Sequence, residues 1–216
     1  MALWRKLDHL NIVKFLDCIE TPTHIFVVCE LCEEGCLNDY VINTPDGLLS
    51  EAEARPFFVQ IVNGLRYLHS RGIYHGDVKL DNILLNRRGE IKLCDFGFSE
   101  SVAEVSVHEE RTYGGTLLYC APEVLRGGAD VGLLADVWSA GVTLYALVTG
   151  ELPFDDDYEP RLKHKILSGK FAFPTNLALS AEVKDLITSM LKTSVSERLS
   201  IEKVYAHPWF KTSAAL

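Results

Sequence analysis

Four polar residues near the middle of the chain carry side chains that suit metal binding and charge stabilisation. Asp77, Lys79 and Asn82 stand close together, and Asp95 follows a little further along the chain. Carboxylate and amide oxygens are the hard ligands that Mg²⁺ prefers, and a lysine brings a positive charge. Asp and Asn are also favoured in turns, so the residue types alone leave a purely structural role open.

Apolar patterns predict the elements that position these residues. Residues 83–85 and 91–93 are short apolar runs on either side of a turn sequence with Gly89, which predicts a β-hairpin between Asn82 and Asp95. Residues 99–115 hold few large apolar side chains and predict a long loop. A loop of that length inside a compact domain is usually functional.

The remaining elements are mostly helices. Ser50 and Glu53 form a capping-box signature before an apolar stripe at helical spacing, and residues 137–148 are apolar enough for a helix buried on every side, ended by Gly150. Ser180 is expected to cap a helix over residues 181–191 and Ser200 a last one. Residues 1–10 predict the end of a helix, and residues 12–18 and 25–29 an antiparallel strand pair.

Three of the six cysteines form a C-x2-C-x3-C run made of Cys29, Cys32 and Cys36. Such a run could bind zinc or an iron-sulfur cluster if a fourth ligand approached. The competing interpretation is that Cys29 ends an apolar strand and is a buried, small hydrophobic residue.

Composition narrows the class of protein. The chain has 216 residues, 48% of them hydrophobic, and a formal net charge of -9 from 21 basic and 30 acidic residues. One domain with a substantial core is expected. The acidic balance argues against a nucleic-acid partner, and no apolar run reaches the roughly 18 residues of a membrane span. We therefore expect a cytoplasmic protein with reduced thiols, no nucleic-acid partner and no membrane partner.

Three short motifs occur in an order that resembles the protein kinases. They match the family's catalytic loop, its metal-binding motif and the anchor of its substrate loop. In this chain they read His75-Gly76-Asp77-Val78-Lys79-Leu80-Asp81-Asn82, Asp95-Phe96-Gly97 and Ala121-Pro122-Glu123. The resemblance implies an α+β, protein-kinase-like fold, mainly the α-helical C-lobe with a remnant of the β N-lobe. Residues 1–31 would be that remnant with the start of the hinge, and residues 32–216 the C-lobe.

The resemblance also implies a role for each polar residue. Asp77 would accept the proton of a substrate hydroxyl, Lys79 would place positive charge near the transferring phosphoryl group, and Asn82 and Asp95 would hold Mg²⁺. Lys79 and Thr116 are typical of the serine/threonine branch, with Thr116 near Asp77. The implied partners are ATP, Mg²⁺ and a protein substrate with Ser or Thr.

Further positions match the family's nucleotide-binding and structural residues. Glu30 to Cys32 would form the hinge that touches adenine, Cys29 would guard the pocket behind it, and Leu84 would belong to the adenine floor. Asp136 matches a structural residue of the family at the start of the buried helix, and Glu123 would form a buried ion pair with Arg198. Within the kinases, the chain is similar to the calmodulin-dependent and AMP-activated group, and residues 95–99 resemble the testis-specific serine kinases.

The chain also departs from the family pattern. It contains no G-x-G-x-x-G and no Val-Ala-Ile-Lys motif, and the family's regulatory glutamate would fall before Met1. Gly76 stands where the family usually has an arginine that pairs with a phosphorylated loop, so we expect Thr112 phosphorylation to activate weakly if at all. Two hypotheses follow: a kinase impaired in this truncated form, or a catalytically inactive kinase-like scaffold.

Overall fold

Helices dominate the part of the chain that the computed structural model describes, which comprises residues 3–102, 116–127 and 132–211. The α-helices are α1 (Leu37–Ile42), α2 (Glu51–His69), α3 (Pro122–Leu125), α4 (Leu133–Thr149), α5 (Glu159–Ser168), α6 (Ala181–Met190) and α7 (Ile201–Tyr205). The strands are β1 (Phe15–Glu20), β2 (Ile25–Cys29), β3 (Ile73–Tyr74), β4 (Ile83–Leu85), β5 (Ile91–Leu93) and β6 (Glu100–Ser101). They pair antiparallel as β1–β2, β3–β6 and β4–β5. The mixed helix and strand content agrees with the expected partial kinase fold.

Helices α2 and α4 form the centre of the core. The predicted capping box is present, because the Ser50 hydroxyl accepts from Glu53 N while the Glu53 carboxylate accepts from Ser50 N. The apolar stripe of α2 is buried, and α4 is buried along almost its whole length, as the sequence predicts. Gly150 ends α4 in the left-handed conformation with φ 72°.

A single carboxylate joins the starts of two helices to the C-terminal region. Glu51, the first residue of α2, accepts hydrogen bonds from Ser180 N (2.6 Å), Ser180 Oγ (2.7 Å) and Trp209 Nε1 (2.9 Å). Ser180 in turn caps α6 by accepting from Val183 N. The 3₁₀ turn Pro208–Phe210 is thereby fixed against the N-terminal ends of α2 and α6.

The β4–β5 hairpin forms where the sequence predicts it. Ile83 pairs with Leu93 and Leu85 with Ile91, around a turn in which Gly89 has φ 72°. The Gln60 side chain of α2 accepts from Ile91 N and from Asn11 Nδ2, both at 3.0 Å. The hairpin is therefore anchored on α2.

The predicted pairing of β1 with β2 is confirmed, but two expectations near it are wrong. Cys29 is exposed rather than buried, because all five side chains of β2 face solvent and no further described strand covers the pair. The described residues before 10 form only a 3₁₀ turn, Trp4–Lys6, and Leu7 is extended. The chain leaves the helical path there because Trp4 Nε1 donates to Val13 O (2.7 Å) and Leu7 enters the core.

None of the described helices combines the length and the apolar character needed to cross a bilayer.

Candidate active site

The loop before β4 is held by a buried carboxylate at the start of α4. Asp136 Oδ2 accepts from His75 N (2.8 Å), and its Oδ1 accepts from Gly76 N (2.9 Å). His69 Nε2 lies 2.9 Å from Asp136 Oδ2. Because Asp136 fixes the backbone of residues 75 and 76, the next residue, Asp77, has a defined position.

Asp77 has one carboxylate oxygen bound and one without a partner. Its Oδ2 accepts from Lys79 Nζ and from Asn82 Nδ2, both at 2.7 Å. Its Oδ1 is buried and has no hydrogen-bond partner among the described residues. A buried acceptor without a partner is costly, and here it is available to a hydroxyl that enters the site.

Lys79 connects two segments that are distant in the sequence. Its Nζ donates to Asp77 Oδ2 and also to Thr116 Oγ1, at 2.9 Å. The structure therefore brings Asp77, Lys79 and Thr116 together. Thr112 and Gly115, in the predicted loop before Thr116, lie outside the described residues.

Asn82 and Asp95 are brought together at the ends of the β4–β5 hairpin. Cys94 N donates to Asn82 O (3.0 Å), which places Asp95 beside Asn82. Asp95 is exposed and adopts a left-handed conformation with φ 61°, and its Oδ1 accepts from Gly97 N (3.2 Å). A non-glycine residue in this conformation is strained, and such strain concentrates at functional sites.

The donor set at this position suits Mg²⁺ that arrives with a phosphate. Mg²⁺ in such sites takes one or two protein oxygens and completes its shell with phosphate and water, and the oxygens of Asn82 and Asp95 meet that need. Across residues 3–102, 116–127 and 132–211, no group of three or more His, Cys, Asp or Glu side chains is placed to hold a metal ion. Cys29, Cys32 and Cys36 accordingly do not form a zinc-type site there.

The residues predicted to surround adenine lie along one side of the same hairpin. Leu85 N donates to Gly35 O and Glu34 N to Leu85 O, so the segment after Glu30 runs beside β4. Leu84 is half-buried on this strand, and Cys32 is half-buried in the segment. The predicted grouping of Glu30, Cys32 and Leu84 around adenine stays a prediction.

Burial governs the thiols in this region. It raises the pKa of Cys94 to about 12, with a smaller contribution from the neighbouring Asp95 carboxylate. Burial also raises the pKa of Cys32, as does the Glu30 carboxylate. Because the thiolate is the reactive form, both side chains stay protonated and poorly nucleophilic near neutral pH.

Gly76 is in close contact with the segment that follows Asp95. It has φ 84°, and a Cβ atom added to it would lie 2.7 Å from the backbone oxygen of Phe98. Ser99 Oγ donates to His75 O (3.0 Å), and β3 pairs with β6. The loop that carries Asp77 and the segment after Asp95 are thus joined by backbone contact.

The expected ion pair between Glu123 and Arg198 is present and buried. Arg198 Nη1 and Nη2 donate to the two carboxylate oxygens of Glu123 at 2.6 and 2.8 Å. Arg198 Nη1 also donates to Leu134 O (2.7 Å), and the guanidinium lies over the Trp138 ring. This pair joins α3 to α4 and to the loop after α6.

Sequence reasoning missed two residues of this region, His69 and Ser99. His69 is in the last turn of α2, where a basic residue is ordinary. Ser99 opens the predicted loop, where serine is common. Neither carries a local signal, because the partner of each, the Asp136 carboxylate for His69 and the His75 carbonyl for Ser99, is brought beside it only by the fold.

Comparison with known proteins gives a consistent result. Residues 1–210 match the family described as the protein kinase domain. The chain is 42% identical over 211 residues to a probable serine/threonine-protein kinase of Dictyostelium discoideum, covering 97% of this chain and 24% of that protein. It is 41% identical over 212 residues to the serine/threonine-protein kinase SRK2I of Arabidopsis thaliana, covering 95% of this chain and 58% of that protein.

A third relative extends the comparison to rye. The chain is 40% identical over 211 residues to the carbon catabolite-derepressing protein kinase of Secale cereale, covering 98% of this chain and 41% of that protein. The chain spans between 24% and 58% of the length of these three relatives. The match over residues 1–210 and the arrangement around Asp77 agree, and the chain belongs to the protein kinase domain family.

Proposed function

We propose that the chain is a protein serine/threonine kinase that transfers the γ-phosphoryl group of ATP to a Ser or Thr hydroxyl of a protein substrate. The observation that carries this proposal is the buried, unpartnered Oδ1 of Asp77 beside an Oδ2 fixed by Lys79 and Asn82. A carboxylate held in this way is suited to accept the proton of an incoming hydroxyl. The names of the relatives support the same activity.

Each side chain of the site has one task in this proposal. Asp77 Oδ1 orients the substrate hydroxyl and takes its proton, while Lys79 places its charge next to the transferring group. Thr116, within reach of Lys79, narrows the site for a short side chain. Bound Mg²⁺ and ATP would supply the phosphoryl group and neutralise its charge, with Asn82 and Asp95 holding the metal.

Finer assignments rest on the motifs alone. We assign the chain to the calmodulin-dependent and AMP-activated group, near the testis-specific serine kinases, because of residues 95–99 and the Leu152-Pro153-Phe154-Asp155-Asp156 sequence. We also propose residues 1–31 as N-lobe remnant and hinge start, residues 32–216 as C-lobe, and a cytoplasmic location. The nucleotide would lie between Glu30, Cys32 and Leu84.

The second candidate is a kinase-like scaffold without catalysis. It is favoured by one feature, the absence of a G-x-G-x-x-G and of a Val-Ala-Ile-Lys motif from these 216 residues. These 216 residues by themselves make fewer contacts to the ATP phosphates. We therefore expect transfer by these residues alone to be well below the roughly 1–100 s⁻¹ of ordinary kinases.

Replacing Asp77 tests the proposal. With radiolabelled ATP, Mg²⁺ and a peptide library containing Ser, Thr or Tyr, we expect slow transfer to Ser and Thr peptides. Asp77→Asn should lower the rate by about 100-fold or more, because it removes the proton acceptor while keeping the shape. Asp46→Asn makes the same change at an exposed carboxylate and should leave the rate unchanged.

The possible results separate the two candidates. Transfer that survives in Asp77→Asn would refute the assigned role of Asp77. No transfer by the wild-type chain, together with no binding of ATP, would favour the scaffold. Transfer to Tyr peptides at the same rate as to Ser peptides would contradict the serine/threonine assignment.

A further inference from the structure

A buried lysine on β5 forms an ion pair with the first residue of the proposed hinge. Lys92 Nζ lies 3.1 Å from Glu30 Oε2, and only 9% of the Lys92 side chain is exposed, against 28% for Glu30. The other carboxylate oxygen, Glu30 Oε1, accepts from Lys14 N at 2.6 Å. A charge this far from water needs its partner, so the Lys92 ammonium is held at Glu30.

Lys92 also has a fixed relation to Leu84. The two residues are directly opposed in the β4–β5 hairpin, so their side chains share one face of it. Leu84 is the proposed floor of the adenine pocket, and Glu30 begins its edge. The Lys92 side chain therefore extends from beside Leu84, in the proposed floor of the pocket, to Glu30, at its proposed edge.

The two ends of the segment that forms the edge are held by different means. At its far end, Cys36 forms an isolated antiparallel β-bridge with Leu84, and Leu85 N donates to Gly35 O. Backbone pairing therefore sets the distance of this end from β4. At its near end, Glu30 N donates to Lys14 O, and the neighbouring Val13 N donates to Leu93 O of β5, so the backbone reaches the hairpin only through the chain before β1. The contact of Lys92 with Glu30 is a direct side-chain link between the hinge and the hairpin at this end.

We propose that Lys92 is a positioning residue for adenine, which sets the separation between the pocket floor on β4 and the hinge at Glu30 through its ion pair with the Glu30 carboxylate. This inference rests on the proposed function, because it assumes that a nucleotide binds between these elements. Lys92 does not touch the nucleotide. Without the Lys92 ammonium, the hinge at Glu30 is less firmly held. Ordering the pocket then costs more free energy on binding, so adenine binds more weakly.

Adenosine is the probe that isolates this effect, since it carries no phosphate and so does not depend on Mg²⁺, Asn82 or Asp95. Calorimetric titration should show adenosine binding weakened roughly tenfold in Lys92→Met. Glu30→Gln, which can still accept from Lys14 N, should weaken it in the same direction. Exchanging the charges, Lys92→Glu with Glu30→Lys, should restore part of the affinity.

The matched control is Lys163→Met. Lys163 forms an exposed ion pair with Glu159 at 2.7 Å and lies on α5, so its loss should leave adenosine binding unchanged. In transfer assays, Lys92→Met should raise the KM for ATP by the same factor as it raises the dissociation constant of adenosine. It should leave kcat within about twofold of the wild-type value.

A structural role alone would give a different pattern. In that case Lys92→Met would lower the melting temperature, while adenosine affinity, measured well below that temperature, would stay within about twofold of the wild type. That result would overturn the proposal and leave the proposed function standing. If the wild-type chain bound neither adenosine nor ATP, the proposed function and this inference would both fail.

Discussion

Gly76 joins two loops because it has no side chain. Its left-handed backbone, with φ 84°, already disfavours other residues, and the oxygen of Phe98 occupies the space that a Cβ would need. The arginine that the family usually has at this position could not be introduced without moving the segment after Asp95.

Gly72 and Gly76 both have left-handed backbones but should differ in how much an alanine destabilises the fold. In Gly72→Ala the new methyl group lies in open space, but the backbone keeps a φ of 65°. This conformational strain alone should lower the unfolding free energy by about 1–2 kcal/mol. Gly76→Ala carries the same strain plus the contact with Phe98 O, so it should cost more. Urea unfolding measures both values. Equal costs for the two variants would mean that the contact with Phe98 is easily relieved.

The predictability of single residues depended on motifs. Asp77, Asn82 and Asp95 could be recognised because they stand in ordered sequences, and their neighbourhood follows from the hairpin between them. The unpartnered Oδ1 of Asp77 and the ion pair of Lys92 could not be predicted, because they depend on side-chain placement. The prediction that Cys29 is buried was wrong, because an apolar strand is buried only where another element covers it.

At the scale of elements, Glu51 connects the N-terminal ends of α2 and α6 with Trp209. Partial burial alone would raise the pKa of Glu51, but hydrogen bonds from Ser180 and Trp209 outweigh it and hold the pKa below its ordinary value. Because the folded pKa is lowered, this carboxylate stabilises the fold above its unfolded pKa. That contribution is lost as the pH falls through the folded pKa.

We therefore predict an acid-sensitive contribution from Glu51. Glu51→Gln should lower the unfolding free energy at pH 7 by about 1–2 kcal/mol, since two or more hydrogen bonds to a charged acceptor are weakened. The difference from wild type should shrink as the pH falls from the unfolded pKa, about 4.3, through the lower folded pKa, because the wild-type carboxyl then becomes protonated. Denaturant titrations at several pH values test this, with the exposed Glu197→Gln as control. A difference that is constant with pH would contradict it.

Helices α2, α4, α6 and α7 and the β1–β2 and β4–β5 hairpins were predicted from periodicity, caps and turn sequences, whereas α1, α3 and α5 were not predicted. The two-residue strands β3 and β6 could not, because they are too short for an alternating pattern and form only where the fold brings them together. Where the end of a helix was predicted over residues 1–10, the structure has only the 3₁₀ turn Trp4–Lys6. The tertiary contacts of Trp4 and Leu7 outweigh the local periodicity there.

At the scale of the whole molecule, the buried pair of Glu123 and Arg198 joins parts of the chain that lie far apart in sequence. The side chain of Arg198 is fully buried, and its donors are divided between Glu123, Leu134 O and Lys192 O. Removing one partner would leave a charge without compensation in the core.

Arg198→Met should accordingly cost about 3–5 kcal/mol of unfolding free energy. The double variant Glu123→Gln with Arg198→Met should cost less than the sum of the single changes, because it leaves no unpaired charge. Arg161→Met removes an exposed arginine from Asp156, which keeps Lys165 as a partner, and should cost less than about 1 kcal/mol. Thermal and urea unfolding measure the wild type and the four variants, with Glu123→Gln also made alone, and a loss below about 1 kcal/mol for Arg198→Met would refute the prediction.

The attachment of Trp209 to Glu51 also bears on how the protein is made. A nascent chain grows from its N-terminus, so the carboxylate at the start of α2 exists long before Ser180 and Trp209 are added. Until then, that end of α2 has to rely on its capping box and on water. Closure of the helical core at this point therefore waits until the segment through Trp209 has been synthesised.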